Sequence, residues 1–264
     1  MKQFFTEPPY EALVYVPDSL VHARSENKAF AAWLKRNVNR HRQPGYAIVT
    51  LTTKQTGTPP GDVSDYQLEL IADLADRYSF GEVRVTHEQN VVLADVRQQD
   101  LFALWEQLRP AGFATPNLGM LTDIICCPGG DYCALANAKS IPVAEAIQAR
   151  FDDIDYLYDI GELDLNISGC MNACGHHHVG HIGVLGVDKK GEEFYQVSLG
   201  GSSNRNAAIG QILGPSFARG DMPDVIEKII KVYLDHRTDE ERFIDTFHRV
   251  GIDPFKERVY AQSR

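Results

Sequence analysis

Length, composition and charge limit the classes of protein to which this chain can belong. With 264 residues, 44% of them hydrophobic, it can build one large domain or two modest ones. Its net charge of −10 argues against a nucleic-acid binder, which would present a basic face. No apolar run approaches the length of a membrane span, so no membrane partner is expected. Residues 1–9 lack the apolar core of a signal peptide, which favours a cytoplasmic location.

The beginning of the chain, residues 1–44, is predicted to be an N-terminal arm followed by a helix. Residues 1–25 are punctuated by proline and weakly periodic, which is typical of an extended arm. Residues 27–37 place apolar side chains on one helical face. The basic stretch 36–42 is interpreted as the solvated end of that helix and a turn, with anion contact at a domain interface as the alternative.

Residues 45–115 are predicted to form a ferredoxin-like half-domain. Their element order, β-α-β-β-α, is most of a split β-α-β unit. Such a unit is a common fold and does not by itself indicate a function. The predicted elements are a strand over 46–52, a helix that Ser64 and Gln67 open with a capping box, strands over 82–86 and 90–96, and a helix over 98–109.

Residues 116–264 are predicted to form a mixed α/β domain, which makes the whole chain α+β. A strand ends at Cys127, and a helix beginning near Tyr132 would place Cys133 in its first turn, where free N–H groups favour a thiolate. A short strand over 164–168 leads to Cys170. A β-hairpin and two helices complete the domain.

The cysteines carry the strongest chemical signal. All five lie between Cys126 and Cys174, whereas a disulfide framework would scatter them, so a metal centre in a reducing compartment is favoured. Cys127 and Cys133 form a C-x5-C pair, and Cys170 and Cys174 form a C-x3-C pair. Four thiolates suit an iron–sulfur cluster or a structural zinc, although x5 is long for a zinc knuckle. Cys126 points to the opposite face from its neighbour in an extended chain and is interpreted as a core residue.

Two strings around these cysteines resemble a known family. Cys-Cys-Pro-Gly-Gly-Asp-Tyr-Cys at 126–133 and Ser-Gly-Cys-Met-Asn-Ala-Cys-Gly at 168–175 are similar to the sirohaem-dependent sulfite and nitrite reductases. The resemblance implies a [4Fe-4S] cluster, with Cys174 also bridging to the sirohaem iron. The cluster ligands that it implies are Cys127, Cys133, Cys170 and Cys174.

The resemblance covers about residues 30–260, but only the C-terminal half of the family's usual polypeptide, and is closest to the bacterial assimilatory sulfite reductase haemoprotein. It implies six-electron reduction of sulfite to sulfide, with nitrite reduction to ammonia as the alternative. The family's first half carries an arginine in a strand-turn where this chain has Glu88. We therefore expect the sirohaem to be shared with an N-terminal half or equivalent domain, without which the chain is inactive, and electrons to come from a ferredoxin or flavoprotein.

Two non-catalytic interpretations remain, a single-cluster electron-transfer module and a zinc-stapled structural module. No residue of this half is assigned a catalytic role. The weaker candidates for cofactor contact are Asn172, His176, Asn204 and Arg205. The adjacent run His176–His178, with His181, cannot converge on one ion from an extended segment. These histidines are interpreted as interface packing, or as proton donors beside the cluster.

Overall fold

The computed structural model describes residues 6–13, 20–204 and 206–261. These residues form two compact units, one made of the described residues up to Thr53 with Val63–Pro116, the other of Lys54–Asp62 with the described residues from Asn117 onward. The first has ferredoxin-like half-domain topology and the second is a further α/β domain, which confirms the predicted α+β class. No helix among the described residues is long and apolar enough to cross a membrane.

The first unit is an antiparallel sheet covered by helices. The sheet order is β1-β2-β4-β3. Buried aromatic side chains such as Trp33 and Trp105 fill its core. The predicted capping box is confirmed, because the Ser64 hydroxyl accepts from the Gln67 N–H and the Gln67 side chain accepts from the Ser64 N–H. Its elements are α1 (Val21–Glu26), α2 (Lys28–Asn37), β1 (Val38–Arg40), β2 (Tyr46–Leu51), α3 (Asp65–Tyr78), β3 (Arg84–Val85), β4 (Val91–Arg97) and α4 (Leu101–Leu108).

Two predictions for the beginning of the chain are wrong. Val21–Glu26 is a helix rather than extended arm. The stretch 36–42 begins with the predicted helix end but continues as strand β1 rather than as a turn. The buried Asn37 accounts for the second difference, because its amide donates to two backbone carbonyls of this unit, Thr50 (3.1 Å) and Thr115 (3.3 Å). These bonds end the helix and hold the following residues beside β2.

The second unit is a mixed sheet with order β10-β8-β7-β6-β5, and β9 pairs with β8. Strands β5, β6 and β7 are parallel, and β7 and β8 form an antiparallel hairpin. Its elements are β5 (Ile125–Cys126), α5 (Gly129–Tyr132), α6 (Ile141–Arg150), α7 (Ile154–Ile160), β6 (Leu165–Ser168), β7 (Ile182–Lys189), β8 (Glu192–Leu199), β9 (Gln211–Ile212), β10 (Phe217–Ala218), α8 (Met222–His236), α9 (Phe243–Val250) and α10 (Asp253–Tyr260).

The core of the second unit lies between this sheet and the apolar faces of its helices. Val143 and Ile147 of α6 and Ile226 and Ile230 of α8 are fully buried, at the periodicity that one helical face requires. This packing fixes the strands that deliver the cysteines. The carboxyl ends of β5 and β6 lie side by side at one edge of the sheet.

Candidate metal centre

Two loops leave the same edge of the sheet and carry the four candidate ligands. We call residues 127–140, after β5, the first cysteine loop, and residues 169–181, after β6, the second cysteine loop. Because β5 and β6 are parallel, with Cys126 opposite Ile167, their carboxyl ends meet at one edge. The topology therefore brings both cysteine pairs to the same side of the molecule.

Backbone hydrogen bonds hold the two cysteine loops against each other. The N–H groups of Asn137 and Ala138 both donate to the Gly169 carbonyl, at 2.8 and 3.0 Å. The Cys127 N–H donates to the Ile167 carbonyl at 3.1 Å. Because these bonds join main chain to main chain, the loop geometry does not depend on the choice of exposed side chains.

The close approach of the loops depends on glycine. A Cβ on Gly169 would lie 2.6 Å from the Ala138 carbonyl oxygen, and one on Gly129 would lie 2.4 Å from the Ser140 nitrogen. Gly129 also has a φ of 56°, in the left-handed region that favours glycine. The Gly-rich context of the cysteines is thus a packing requirement of the two loops.

Gly175 gives a direct test of this packing. A Cβ there would lie 2.0 Å from the Ile167 carbonyl oxygen, so Gly175→Ala must displace β6 or the second cysteine loop. We expect it to lower the free energy of unfolding by about 1–3 kcal/mol. Gly220→Ala is the matched control, because a Cβ at Gly220 would have no neighbour within 4 Å and the φ of this residue is not left-handed. Equal denaturation midpoints for the two variants would contradict the packing account.

The four candidate ligands range from buried to exposed. Cys127 and Cys170 are buried, Cys133 is half-buried and Cys174 is exposed. The Gly169 N–H donates to the Cys127 sulfur at 3.1 Å, an interaction that stabilises a thiolate and tunes a bound iron–sulfur cluster. The sequence identified the cysteines but not this donor, although Gly169 directly precedes Cys170.

The predicted helical environment of Cys133 is wrong. Helix α5 covers Gly129–Tyr132, so Cys133 lies at its C-cap in an extended conformation and not in a first turn. The left-handed Gly129 starts the turn earlier than the sequence indicated. A helix dipole therefore gives no support to a Cys133 thiolate.

Cys126 differs from the other four cysteines in its environment. It is 3% exposed and belongs to the apolar core of the second unit. Burial, followed by the neighbouring Cys127, raises the pKa of its thiol well above the ordinary value. Its sulfur donates to the Cys127 carbonyl at 3.2 Å, as a protonated thiol does.

The chemistry of the four cysteines suits an iron–sulfur cluster. Within the described ranges, no group of three or more His, Cys, Asp or Glu side chains is placed to hold one metal ion. A four-iron cluster accepts sulfurs that are farther apart, because its irons occupy separate corners. The ligand chemistry also fits, since four cysteine thiolates are the usual ligands of a [4Fe-4S] cluster.

Three large apolar side chains are exposed beside two of the candidate ligands. Tyr132 (83% exposed) and Leu135 (72%) flank Cys133, and Met171 (80%) follows Cys170. Side chains of this kind on a protein surface are typical of an interaction site when they lie together. The exposed Asn172 amide has no hydrogen-bond partner among the described residues, and its side chain is available to a bound group.

The histidines of the second cysteine loop have separate environments. His176 and His178 are exposed, and His176 has a left-handed φ of 55°. His177 is 2% exposed, and neither of its ring nitrogens has a hydrogen-bond partner in the described structure. The buried His181 accepts from the Asp164 N–H at 3.0 Å. The His177 and His178 rings contact each other, with their centroids 3.9 Å apart, whereas the His181 ring is bonded to the backbone of Asp164.

His177 is expected to make stability depend on pH. Burial, followed by the charge of His178, lowers the pKa of His177 from 6.5 to about 4. The unfolded state then binds the extra proton between these values, so the free energy of unfolding falls as pH drops from about 6.5 towards 4. His177→Gln should lose less stability than the parent chain between pH 7 and 5, measured by urea denaturation. His248→Gln, at an exposed histidine of α9, is the control, and a His177→Gln profile that matches the parent would contradict this assignment.

The remaining sequence candidates lie outside the cysteine loops. The exposed Asn204 accepts from the Ser202 hydroxyl (2.9 Å) and the Asn206 N–H (3.3 Å), so its carbonyl oxygen serves a local turn. Arg205 lies outside the described residues. In the half-domain, the Glu88 carboxylate lies 2.9 Å from Nε2 of His87.

Each of the two units matches a known family model. Residues 120–264, more than half of the chain, match the family model described as "Nitrite and sulphite reductase 4Fe-4S domain", and residues 40–111 match "Nitrite/Sulfite reductase ferredoxin-like half domain". The structure is similar to that of the Mycobacterium tuberculosis NirA protein, with a TM-score of 0.68 and 26% identity over 83% of this chain and 41% of that one.

Curated relatives include enzymes named for either substrate. A "Ferredoxin--nitrite reductase" from Synechococcus elongatus is 29% identical over 75% of this chain, which spans 39% of that relative. A "Sulfite reductase, assimilatory-type" from Nitratidesulfovibrio vulgaris is 23% identical, over 81% of this chain and 92% of the relative. This chain thus spans about two fifths of the first relative and nearly all of the second.

Proposed function

This chain belongs to the nitrite and sulphite reductase family, and from that premise we propose that it binds a [4Fe-4S] cluster and serves six-electron reduction of sulfite to sulfide. The observation that carries the proposal is the pair of cysteine loops at one sheet edge, joined through Gly169. The proposed ligands are Cys127, Cys133, Cys170 and Cys174.

The exposure of the four cysteines suggests how the centre is arranged. The buried Cys127 and Cys170 would hold the cluster at the sheet edge, while the exposed Cys174 would also bind the iron of sirohaem. When bound, the cluster and the sirohaem supply electron storage and delivery to an oxyanion. The Gly169 N–H would stabilise the charge on Cys127 throughout, because it is already directed at that sulfur.

We propose that a further polypeptide segment completes the centre. The cysteine loops carry one Lys or Arg, Lys139, which forms an ion pair with Asp131 (3.0 Å). A polycarboxylate macrocycle and an anionic substrate need several cationic side chains. The exposed Tyr132, Leu135 and Met171 are suited to rest against the added segment or the macrocycle. A ferredoxin or a flavoprotein would supply the electrons.

Substrate choice is tested by comparing sulfite and nitrite in one assay. The protein, loaded with cluster and sirohaem and combined with the family's N-terminal half, is reduced chemically, and consumption of each anion is followed. We expect the larger kcat/KM for sulfite. The Pro-Gly-Gly sequence at 128–130 and the His-His-His sequence at 176–178 resemble those of assimilatory sulfite reductases. A larger value for nitrite would favour the alternative, reduction of nitrite to ammonia.

A further inference from the structure

Ser140 carries a buried hydroxyl for which the proposed function has no role. It is fully buried (0% exposed) at the end of the first cysteine loop, directly before α6. A serine in this position ordinarily caps its helix by accepting a hydrogen bond from an N–H group of the first turn. Within the described part of the chain, the Ser140 side chain makes no such capping bond. Its hydroxyl is therefore available to another partner.

That partner is the sulfur of Cys127. Oγ of Ser140 lies 3.5 Å from Sγ of Cys127, which is within hydrogen-bonding reach of the large sulfur atom, and in the free thiol either atom can donate. A cysteine that binds iron has lost its hydrogen, so the hydroxyl must then be the donor. Because the Gly169 N–H also donates to this sulfur, at 3.1 Å, the Cys127 sulfur has two donors.

Bonds on either side of Ser140 hold it in this place. The Tyr195 hydroxyl donates to the carbonyl of the preceding Lys139 at 2.7 Å. The carbonyl of Ser140 itself accepts from the Ala144 N–H at 3.1 Å. The position of the hydroxyl thus does not depend on its own weak bond to the sulfur.

Close packing keeps water away from the contact between hydroxyl and sulfur. A Cβ on Gly129 or on Gly169 would lie 2.5 or 2.9 Å from Oγ of Ser140, so the hydroxyl fills the space between these two glycines. Cys127 is 8% exposed. A hydrogen bond in so dry an environment is electrostatically stronger than one in water. Protein donors rather than solvent therefore stabilise negative charge on the sulfur.

We propose that Ser140 tunes the proposed [4Fe-4S] cluster, because its hydroxyl donates to the Cys127 sulfur and raises the reduction potential. This inference rests on the proposed function, since it requires Cys127 to be a ligand. Reduction adds one electron to the cluster, and a hydrogen-bond donor stabilises the more negative reduced form more than the oxidised form. The hydroxyl that could have capped α6 instead adjusts the energy of the electron that the cluster receives.

Potentiometric titration of the reconstituted 264-residue chain, followed by electron paramagnetic resonance of the reduced cluster, tests this role. Ser140→Ala should lower the equilibrium constant for one-electron reduction about tenfold, which is a fall in potential of about 59 mV. Ser79→Ala is the matched control, because Ser79 is equally buried but its hydroxyl accepts from the Asp95 N–H (3.2 Å) in the first unit. The control should keep the parent potential.

Iron and sulfide are measured in every variant, so that loss of the cluster is distinguished from a change in its potential. With a full cluster in both, equal potentials for Ser140→Ala and Ser79→Ala would overturn this inference and leave the proposed function intact. If Ser140→Ala holds no cluster, Ser140→Thr carries the test, because it keeps the hydroxyl. It should assemble the cluster at the parent potential, and failure to do so would count against the inference. A parent chain without iron would overturn the proposed function and this inference with it.

Discussion

Single replacement of Cys127, Cys133, Cys170 or Cys174 by serine is expected to abolish or cripple the iron–sulfur cluster, whereas Cys126→Ser should retain it. The reason is ligand count, since a cubane held by four thiolates loses its site when one is removed. Iron and acid-labile sulfide should fall from about four each per chain towards zero in the four ligand variants. The measurement is metal and sulfide analysis after anaerobic reconstitution.

Cys126→Ser is the internal control for this series. It makes the same chemical change next to a proposed ligand, but at a residue buried in the apolar core. Burying a hydroxyl there should lower stability modestly and leave the iron content near that of the parent chain. Full iron content in any of the four ligand variants would overturn the ligand assignment. If Cys126→Ser loses iron and Cys127→Ser keeps it, Cys126 rather than Cys127 is the ligand.

The second large effect concerns turnover. The chain by itself is expected to reduce sulfite at a rate roughly 100-fold or more below that of the same chain combined with the family's N-terminal half. Its cysteine loops carry a single cation, Lys139, already paired with Asp131. Without preorganised cations, neither anion binding nor protonation of a departing oxygen gains much from the protein.

Sulfite consumption by chemically reduced protein, with added sirohaem and with or without the co-expressed N-terminal half, measures this effect. Sirohaem occupancy is recorded for each sample, so that poor loading and poor catalysis are distinguished. Robust turnover by this chain alone would show that it supplies its own cations, and Arg40 and Arg42 are the first residues to replace in that event. The chain matches 92% of the length of a relative named an assimilatory-type sulfite reductase. The assay with and without the N-terminal half therefore directly tests whether a chain of this length is sufficient for turnover.

Local sequence signals predicted most of the architecture. The capping box at Ser64, the β-branched residues of β2 and the apolar stripe of α8 each specify an element through short-range contacts. The C-x5-C and C-x3-C pairs, with the glycines beside them, were sufficient to identify the loops of the candidate centre. These signals are local, because they depend on residues a few positions apart.

The features that sequence could not predict depend on long-range contacts. Strand β1 follows Asn37, whose amide bonds to carbonyls of other segments of its unit. Residues close to Asn37 in the sequence do not indicate these bonds. Lys54 is fully buried, with its ammonium 3.7 Å from Asp123, in a segment that packs with the second unit. Charged residues are usually exposed, so their types alone predict the opposite. The buried Asp95 escaped prediction for the same reason.

The measurement that tests the central claim most directly is the absorption and Mössbauer spectrum of the anaerobically purified and reconstituted 264-residue chain, with its iron, sulfide and zinc content. The account predicts a brown protein with a broad band at about 400 nm, about four irons and four sulfides per chain, and the spectrum of a [4Fe-4S] cluster. Added sirohaem and the N-terminal half should introduce sharp macrocycle bands. A colourless protein holding one zinc per chain and no iron would contradict the account, because the four cysteines would then serve a structural site.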